Sequence, residues 1–304
     1  MWHSVTSLIV CFCLKFNLQF LRDFFDKKLH IKGIKYLNNI VSSVMEKITA
    51  RTNDKIKYAV RLGESASLRK EAGEFFLEGA RLCSDAVQTG IEIRQAFFTS
   101  KALWKYSEYV ESIIAKSGIC YEISAEVSQK LSDTENPQGV FCICRVKSDS
   151  DKNSLDCGGK YLALENLQDP SNLGAVCRSA EALGLDGLIV SGGCDVYNPK
   201  ALRASMGSLL RMNVITCGNL RELIEKANLS GMKTLASVPK NTAADIRTVS
   251  MDGGVICCVG NEGSGLSKEV IEACTAQVTI PMSGRAESFN ASAAAAILAW
   301  ELKR

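Results

Sequence analysis

Apolar and polar positions alternate with two different periods along the chain, and this pattern predicts two α/β regions. In residues 45–146 a helical period surrounds four short apolar runs, which are rich in aromatic and β-branched side chains. These runs predict strands; they are GEFFLEG, QAFFTS, CYEISAEV and GVFCICRV. Residues 45–146 are therefore expected to form a small α/β domain.

The second region has a more regular rhythm, in which a continuous apolar run is followed by an amphipathic stretch. The predicted strands are YLALENL, GLIVSGG, RMNVIT, KTLASVP, GVICCVG and AQVTIPM. Such alternation is typical of a parallel sheet covered by helices on both faces, so residues 161–304 are expected to form a parallel-sheet α/β domain. The polar, glycine-containing stretch 147–160 predicts a linker between the two domains.

The first 44 residues form an apolar extension that does not resemble a membrane span. Its longest uninterrupted apolar run, Leu8 to Leu14, is too short to cross a bilayer, and it lacks a positively charged start and a small-residue cleavage site. We interpret the extension as neither transmembrane nor secretory. Two explanations stay open: an interfacial anchor, or a natural start at Met45 with upstream sequence translated in frame.

Composition narrows the chemistry that the chain can perform. The 304 residues are 46% apolar and 23% charged, as in soluble globular proteins. The 13 cysteines have irregular spacing and no C-x-x-C pair, so we interpret them as buried side chains in a reducing cytoplasm. Both histidines, His3 and His30, lie in the extension, so catalysis by Ser-His or Cys-His pairs and histidine-ligated metal sites are excluded from the two domains. No metal site is predicted.

The net charge of +3 arises from the extension, because bases and acids nearly balance in both domains. A local basic cluster is more informative, since residues 46–70 contain seven bases against three acids. A cluster of this kind is able to bind along a phosphate backbone. From charge alone, a solvent-exposed helix face explains the cluster equally well. The candidate RNA-binding residues are Lys47, Arg51, Lys55, Lys57, Arg61, Arg69 and Lys70.

Three turns of the second region carry unusual polar residues, and ligands of parallel sheets bind beyond the carboxyl ends of the strands. In the first turn, ENLQDPSNLGAVCRSAEALG, Asn172 is predicted to cap a helix and Arg178 to lie within its first two turns. In the third, Ser288 and Asn290 alternate with Phe289 just before four consecutive alanines. Helix capping and a solvent-exposed arginine explain these residues when each is taken singly.

The second turn, VGNEGSGLS, is rich in glycine. Gly260, Gly263 and Gly265 are expected to allow close approach of the backbone and to leave amides exposed to a ligand. The spacing matches neither the dinucleotide-binding fingerprint nor a P-loop. Glu262 within the turn is a candidate acceptor of local amide hydrogen bonds.

Taken together and in this order, the three turns closely resemble the motifs of the SpoU, or TrmH, family of RNA ribose 2′-O-methyltransferases. The matching segments are N-x-G-A-x-x-R in 172–178, V-G-N-E-G-S-G-L in 259–266 and I-P-M-S-G-x-x-x-S-F-N-A-S in 280–292, with RASMGSLLRMNV also similar. The resemblance covers residues 161–304, and the stretch KEAGEFFLEGARL makes residues 45–146 resemble the L30e-like substrate-binding domain of many members. Phe289 and Ala291 stand where Leu and Val are usual.

The resemblance implies a fold in which the C-terminal segment passes through a loop and forms a deep trefoil knot. The knot would hold S-adenosylmethionine, and four consecutive alanines would let the last helix pass close to the neighbouring backbone. A helix that packs small residues on a sheet would have the same sequence. The resemblance also implies a homodimer in the cytoplasm, with RNA as its substrate and no membrane partner.

The family's site residues carry over to matching positions of this chain. The cofactor would be bound by Gly260, Ile280, Met282, Phe289 and Asn290, and the catalytic residues would be Arg178, Asn172, Glu262, Ser288 and Asn290. Because a guanidinium stays protonated, Arg178 is expected to clamp the 3′ phosphate and polarise the ribose hydroxyl rather than act as a base. The proton would leave to that phosphate, to Glu262 or to water.

Several functions share these motifs, and the sequence favours 23S-type ribosomal RNA as the target. A transfer-RNA 2′-O-methyltransferase and a ribosomal-RNA methyltransferase that confers antibiotic resistance stay open, because they differ only in the target nucleotide. An RNA-binding module without catalysis would have lost Arg178 or Asn290, and both are present. A nucleotide-dependent oxidoreductase would need the dinucleotide fingerprint, which is missing.

Overall fold

The computed structural model describes residues 45–147, 155–239 and 242–304. The interpretations of the extension and of half of the linker, residues 148–154, concern residues outside these ranges. The described residues form two compact units. The first contains residues 45–64 and Phe76–Arg145, and the second contains Ser65–Phe75 and Val146–Arg304.

A five-stranded mixed sheet is built from the N-terminal strands. These are β1 (Glu46–Ile48), β2 (Glu74–Glu78), β3 (Ile93–Thr99), β4 (Ser117–Ile123) and β5 (Val140–Arg145), in the spatial order β1-β4-β3-β5-β2. Strand β4 pairs in parallel with β1 and β3, whereas β5 pairs with β3 antiparallel. The four strands predicted here are confirmed, and the three-residue β1 was not predicted.

Six α-helices accompany this part of the chain. They are α1 (Asp54–Glu64), α2 (Ala66–Ala72), α3 (Ala80–Gln88), α4 (Ser100–Lys105), α5 (Ser107–Lys116) and α6 (Ala125–Leu131). The prediction that CYEISAEV is one strand was wrong at its end, because β4 stops at Ile123. Ser124 then accepts a hydrogen bond from the backbone N–H of Val127, and this cap begins α6.

The second sheet has seven strands, all of them parallel. They are β6 (Lys160–Glu165), β7 (Gly187–Ser191), β8 (Val214–Cys217), β9 (Lys233–Ser237), β10 (Ala244–Asp245), β11 (Val255–Val259) and β12 (Ala276–Thr279), in the spatial order β10-β12-β9-β11-β6-β7-β8. The predicted parallel sheet is confirmed, and β6, β7 and β11 are almost fully buried along their length, as continuous apolar runs require.

Helices follow most strands of the second sheet. They are α7 (Pro170–Ala182), α8 (Pro199–Ala204), α9 (Ser208–Arg211), α10 (Leu220–Leu229), α11 (Lys268–Ala273) and α12 (Ala291–Leu302), with a 3₁₀ helix at Ile246–Thr248. The predicted helix NPKALRASMGSL is interrupted between α8 and α9, where Met206 and Gly207 have positive φ values of 51° and 89°. The last helix, α12, packs against α7 and buries Ala295 and Ala299 completely.

The amino edge of the second sheet, meaning the amino ends of its strands, is occupied by a loop of the protein's own chain. Lys160 at the start of β6 donates through Nζ to the carbonyl oxygen of Met251, and Lys233 at the start of β9 donates to that of Ser250. Burial lowers the pKa of Lys160 from its usual value. Both ammonium groups therefore bind main-chain oxygens of a single loop.

Arg69 differs from the prediction made for the basic cluster. Its side chain is only 3% exposed, and its Nε donates to Oδ2 of Asp195 at 2.6 Å within the second unit. Asp195 also accepts from the backbone N–H of Tyr197 at 2.9 Å through its other oxygen. Arg69 is thus a buried structural residue, and its prediction as a phosphate contact was wrong. The six other bases of the cluster keep solvent-accessible side chains; they are Lys47, Arg51, Lys55, Lys57, Arg61 and Lys70.

No helix within the described ranges is both long enough and apolar enough to cross a membrane.

Candidate functional site

The three unusual turns follow strands β6, β11 and β12, which run in the same direction. Their carboxyl ends therefore meet at one edge of the sheet, where ligands of such sheets bind. Hydrogen bonds between polar side chains join the first turn to the other two, although Asn172 is 90 residues from Glu262 and 118 residues from Asn290 in sequence. The structure thus brings Asn172, Glu262 and Asn290 together, as the motifs predicted.

Glu262 is the centre of this network. Its Oε1 accepts hydrogen bonds from the backbone N–H of Asp169 at 3.2 Å and from Nδ2 of Asn172 at 3.0 Å. Its Oε2 accepts from the backbone N–H of Gln168 at 3.2 Å. Three donors from the first turn therefore surround one carboxylate of the second turn.

These hydrogen bonds also determine the protonation of Glu262. Burial raises its pKa, but the donors from Asn172, Gln168 and Asp169 together lower it more, so the net shift is below the usual value of 4.5. A lowered pKa means that the charged form is stabilised by folding. The contribution of this charged carboxylate to the free energy of unfolding is complete above pH 4.5 and is lost only as the pH falls below that value. At neutral pH Glu262 is an acceptor that already has its donors.

Asn172 does not cap its helix, and this prediction was wrong. Helix α7 begins at Pro170, and its cap is Asp169, whose Oδ1 accepts from the backbone N–H of Ser171 at 2.8 Å. Proline at the first helical position is favourable there, because it has no N–H to leave unsatisfied. The helix starts earlier than predicted, so Arg178 is its ninth residue and lies beyond the first two turns.

Asn290 has two functions in the structure, one at each end of its amide. Its Oδ1 caps α12 by accepting from the backbone N–H groups of Ser292 at 3.0 Å and Ala293 at 3.4 Å. Its Nδ2 donates to Oδ1 of Asn172 at 3.3 Å. The capping predicted for the third turn is confirmed, and the same side chain also links that turn to the first.

The glycine-rich turn is closed by hydrogen bonds of its own. Asn261 and Gly265 exchange backbone hydrogen bonds at 3.0 and 3.1 Å, and Oδ1 of Asn261 accepts from the backbone N–H of Gly263 at 2.8 Å and of Ser264 at 3.0 Å. The expectation that the amides of Gly263 and Gly265 are exposed to a ligand was therefore wrong. They hold the turn in shape.

Gly260 is required by the close packing of this turn. A Cβ atom at this position would lie 2.1 Å from the carbonyl carbon of Gly265 and 2.2 Å from the nitrogen of Leu266. Both neighbours are backbone atoms, which cannot rotate away. Gly265 is needed for a different reason, because its φ of 71° lies in the left-handed region.

Sequence reasoning missed two residues that support the site, Glu165 and Asn261. The buried Glu165, at the end of β6, accepts from the backbone N–H and the hydroxyl of Ser267, both at 2.7 Å, and so fixes the start of α11. Asn261 donates through Nδ2 to the carbonyl oxygen of Asn166 at 2.8 Å. Asn261 lies inside the matched motif and Ser267 directly after it, but their partners Glu165 and Asn166 lie at and just after the end of β6, a distant strand in the sequence.

The segment 280–290 connects β12 to α12 and contains the other predicted cofactor residues. Ile280 and Met282 are half-buried, whereas the ring of Phe289 is 42% exposed. Partly exposed apolar side chains suit a ligand with an adenine ring and an aliphatic amino-acid portion. The chemistry of this segment therefore fits S-adenosylmethionine, with Phe289 and Met282 available for its apolar parts.

Arg178 and Ser288 are both exposed, and neither has a hydrogen-bond partner among the described residues. Arg178 lies on α7, the helix whose first turn binds Glu262. Its guanidinium is therefore available to a ligand outside the protein.

Comparison with known proteins identifies the family. A family model described as SpoU rRNA Methylase family matches residues 159–300, and one described as MRM3-like substrate binding domain matches residues 53–142. A protein of Synechocystis sp. that is named as an uncharacterized tRNA/rRNA methyltransferase is 33% identical over 268 residues, which cover 87% of this chain and 96% of that protein. The chain belongs to the SpoU rRNA methylase family.

Two further proteins show how far the similarity of this SpoU family member extends. The 23S rRNA (guanosine(2553)-2′-O)-methyltransferase RlmP of Bacillus subtilis is 28% identical, and the match covers 85% of this chain and all of that protein. The crystal structure of an AdoMet-bound rRNA methyltransferase from Sinorhizobium meliloti is 27% identical with a TM-score of 0.75, covering 85% of this chain and 97% of that one. The family predicted from the three motifs is confirmed, as is an N-terminal substrate-binding domain.

Proposed function

We propose that this chain transfers a methyl group from S-adenosylmethionine to a ribose 2′-hydroxyl in structured RNA, and that its target is 23S-type ribosomal RNA. The observation that carries the proposal is the linkage of the three family motifs through Glu262, Asn172 and Asn290 at one edge of the sheet. Ribosomal RNA is favoured because RlmP, which is similar over the whole of its length, is named as a 23S rRNA enzyme.

Methyl transfer between these partners needs alignment more than it needs strong acid or base groups. S-adenosylmethionine supplies a methyl group that is already activated by its sulfonium charge. The ribose oxygen forms a bond to this carbon as the carbon–sulfur bond breaks, and the hydroxyl proton leaves. The chain must hold the two reactants in line and stabilise the RNA where the proton is lost.

Arg178 is the residue proposed to act on the RNA. Its exposed guanidinium is a planar donor fork, which suits two-point binding of the 3′ phosphate and the ribose oxygen. Ser288 and Asn290 would orient the ribose, and Phe289 and Met282 would contact the cofactor with the main chain of Gly260 and Ile280. Positioning and charge are the contributions proposed for these residues.

The proton acceptor is proposed to be the RNA phosphate or water, rather than Glu262. The charged form of Glu262 is stabilised by three donors, and its pKa lies below the usual value. A base with these properties is weak, because proton transfer to it is unfavourable near neutral pH. Glu262 would instead hold the amide of Asn172, and through it that of Asn290.

A substitution of Glu262 tests this role. In Glu262→Gln one carboxylate oxygen is replaced by an NH₂ group, which would face the N–H donors of the first turn. We therefore expect the rate of methyl transfer to fall by about 10-fold, which corresponds to the loss of one hydrogen bond to a charged group. Its remaining activity should keep the pH dependence of the wild type, since no base has been removed. Glu269→Gln, an exposed carboxylate on α11, is the matched control. A loss of 1,000-fold or more together with an altered pH profile would show that Glu262 is the base.

The trefoil knot and the homodimer are also part of the proposal. The knot is supported by the strand order, by the packing of α12 on α7, β6 and β11, and by the small side chains buried at Ala291, Ala295 and Ala299. The dimer is supported by Trp300 on α12, whose side chain is 63% exposed and would be covered by a second copy.

Light scattering tests the assembly. We expect the wild type to be a dimer at micromolar concentration, and Trp300→Glu to shift it toward the monomer, because a charge would then face the apolar contact. Leu229→Glu, at the more exposed Leu229 on α10, is the control and should leave the mass unchanged. A fully active wild-type monomer would contradict the proposal.

The function itself is tested by mapping 2′-O-methyl groups in total RNA from cells with and without this gene. We expect one site in the large-subunit ribosomal RNA to lose its methyl group, and purified protein with S-adenosylmethionine to restore it. A lost site in transfer RNA instead would change the substrate but not the reaction. Unchanged methylation at every site would overturn the proposal.

A further inference from the structure

Helix α4 in the first unit presents an unusual combination of side chains to solvent. Its sequence is SKALWK, and it follows directly after β3. Ala102 and Leu103 are buried against the domain, whereas Lys101, Trp104 and Lys105 are exposed. Because the exposed residues are spaced i, i+3 and i+4, they lie next to one another on one face of the helix. We name Lys101, Trp104 and Lys105 the α4 face.

Trp104 is the most informative member of the α4 face. Its side chain is 58% exposed. Burial of a tryptophan ring is among the most favourable of any side chain, so this exposure needs an explanation. The buried residues of α4 are Ala102 and Leu103, whereas Trp104 presents more than half of its side chain to solvent. Such rings are typical of surfaces that bind a partner.

The charges around the ring indicate the kind of partner. The segment Ser100–Tyr106 contains two lysines and no acidic residue. The carboxylate of Glu122, which is 8% exposed, accepts from the hydroxyl of Ser100 at 2.7 Å and also pairs with Nζ of Lys47 at 3.6 Å, so this carboxylate already has two partners. Nζ of Lys105 lies 5.3 Å from the centroid of the Tyr106 ring, and this contact holds the ammonium group at the end of α4.

We propose that the α4 face binds an unpaired nucleotide of the RNA substrate, with a base stacked on Trp104 and the flanking phosphates bound by Lys101 and Lys105. This inference rests on the proposed function, because it requires RNA as the substrate. An aromatic ring between two cations matches the two recurring features of single-stranded RNA, a flat base and a charged backbone. The family model for a substrate-binding domain includes α4 in its matched residues 53–142.

The same face explains how a base-blind reaction becomes selective. The ribose 2′-hydroxyl is common to every nucleotide, so the chemistry at the second unit carries no sequence information. A stacking site accepts a base only where the RNA leaves it unpaired, in a loop or a bulge. The α4 face would therefore select for RNA shape near the target.

Binding measurements with an unmodified 23S rRNA transcript test the proposal. We expect Trp104→Ala to raise the dissociation constant by about 10-fold, the usual size of one lost base–aromatic stack. Trp104→Phe should keep most of the affinity, since phenylalanine also stacks. Ile119→Ala, which removes another exposed apolar side chain from β4 of the same sheet, is the matched control and should bind as the wild type does. Each of Lys101→Ala and Lys105→Ala should reduce the salt dependence of binding by about one counterion.

Fluorescence gives a direct readout of stacking. The chain has three tryptophans, Trp2, Trp104 and Trp300, so the double variant Trp2→Phe/Trp300→Phe leaves Trp104 as the sole emitter. We expect the transcript to quench this emission, and excess salt to restore it. Quenching of Trp300 but not of Trp104 in the corresponding single-tryptophan variants would contradict the proposal.

The outcomes separate this inference from the proposed function. If the wild type methylates the transcript and Trp104→Ala binds it with unchanged affinity, the inference is overturned and the function stands. If Trp104→Ala instead dissociates a dimer in light scattering with unchanged RNA affinity, the α4 face is a contact between copies. If the wild type neither binds nor methylates any RNA, both proposals fail.

Discussion

Replacing Arg178 by alanine is expected to reduce methyl transfer by about 100-fold or more while the affinity for S-adenosylmethionine stays within a few-fold. The guanidinium has no partner among the described residues, so its loss leaves no buried group unsatisfied and should not change the stability of α7. The effect should therefore appear in the reaction with RNA. Calorimetry with the cofactor and a tritium-transfer assay on bulk RNA measure the two steps separately.

Two further variants sharpen this prediction. Arg178→Lys should recover little activity, because an ammonium group cannot reproduce the planar fork that binds phosphate and ribose oxygen together. Arg221→Ala is the matched control, since Arg221 is exposed on α10 and pairs with Glu225, one helical turn further along, at 2.8 Å. Loss of cofactor binding in Arg178→Ala, or wild-type turnover, would show that Arg178 does not act on the RNA.

Replacing Gly260 by alanine should strongly weaken cofactor binding. The new Cβ atom would lie 2.1 Å from the carbonyl carbon of Gly265, so the turn must open or β11 must shift. Because the obstacle is backbone, relaxation is expensive, and we expect the affinity for S-adenosylmethionine to fall by about 100-fold, equivalent to ~2.7 kcal/mol. The melting temperature should also fall.

Gly263→Ala is a control within the same turn. Its Cβ atom would lie 3.5 Å from Oδ1 of Asn261, an ordinary contact, and its backbone N–H would still donate to that oxygen. We expect cofactor affinity close to that of the wild type. Equal affinities for Gly260→Ala and the wild type would mean that the turn opens when the cofactor binds.

The long apolar strands were predictable because each contains enough residues to show its period. The strands β1 and β10 were not, because three residues and two residues carry no period of their own. They form by pairing with β4 and β12, which lie far away in the sequence. The start of α7 was missed for a local reason, since Asp169 and Pro170 give a stronger helix start than Asn172.

At the candidate site, residue types were predictable and their contacts were only partly so. The motifs identified Asn172, Glu262 and Asn290, but local sequence does not reveal that one amide of Asn290 both caps α12 and binds Asn172. Arg69 is the clearest failure. It lies among exposed bases, and only the fold brings Asp195, 126 residues away, to its side. Long-range partners decide whether a charged residue is buried or exposed.

The closed amino edge of the second sheet has a consequence for a polyanion. An RNA strand approaching this unit meets two sheet edges of different character. At one, Lys160 and Lys233 already bind the carbonyl oxygens of Met251 and Ser250, so a phosphate would have to displace them. At the other, Arg178 on α7 is free of such partners among the described residues. We therefore expect phosphates to bind less readily at the first edge than beside Arg178, where the proposed reaction takes place.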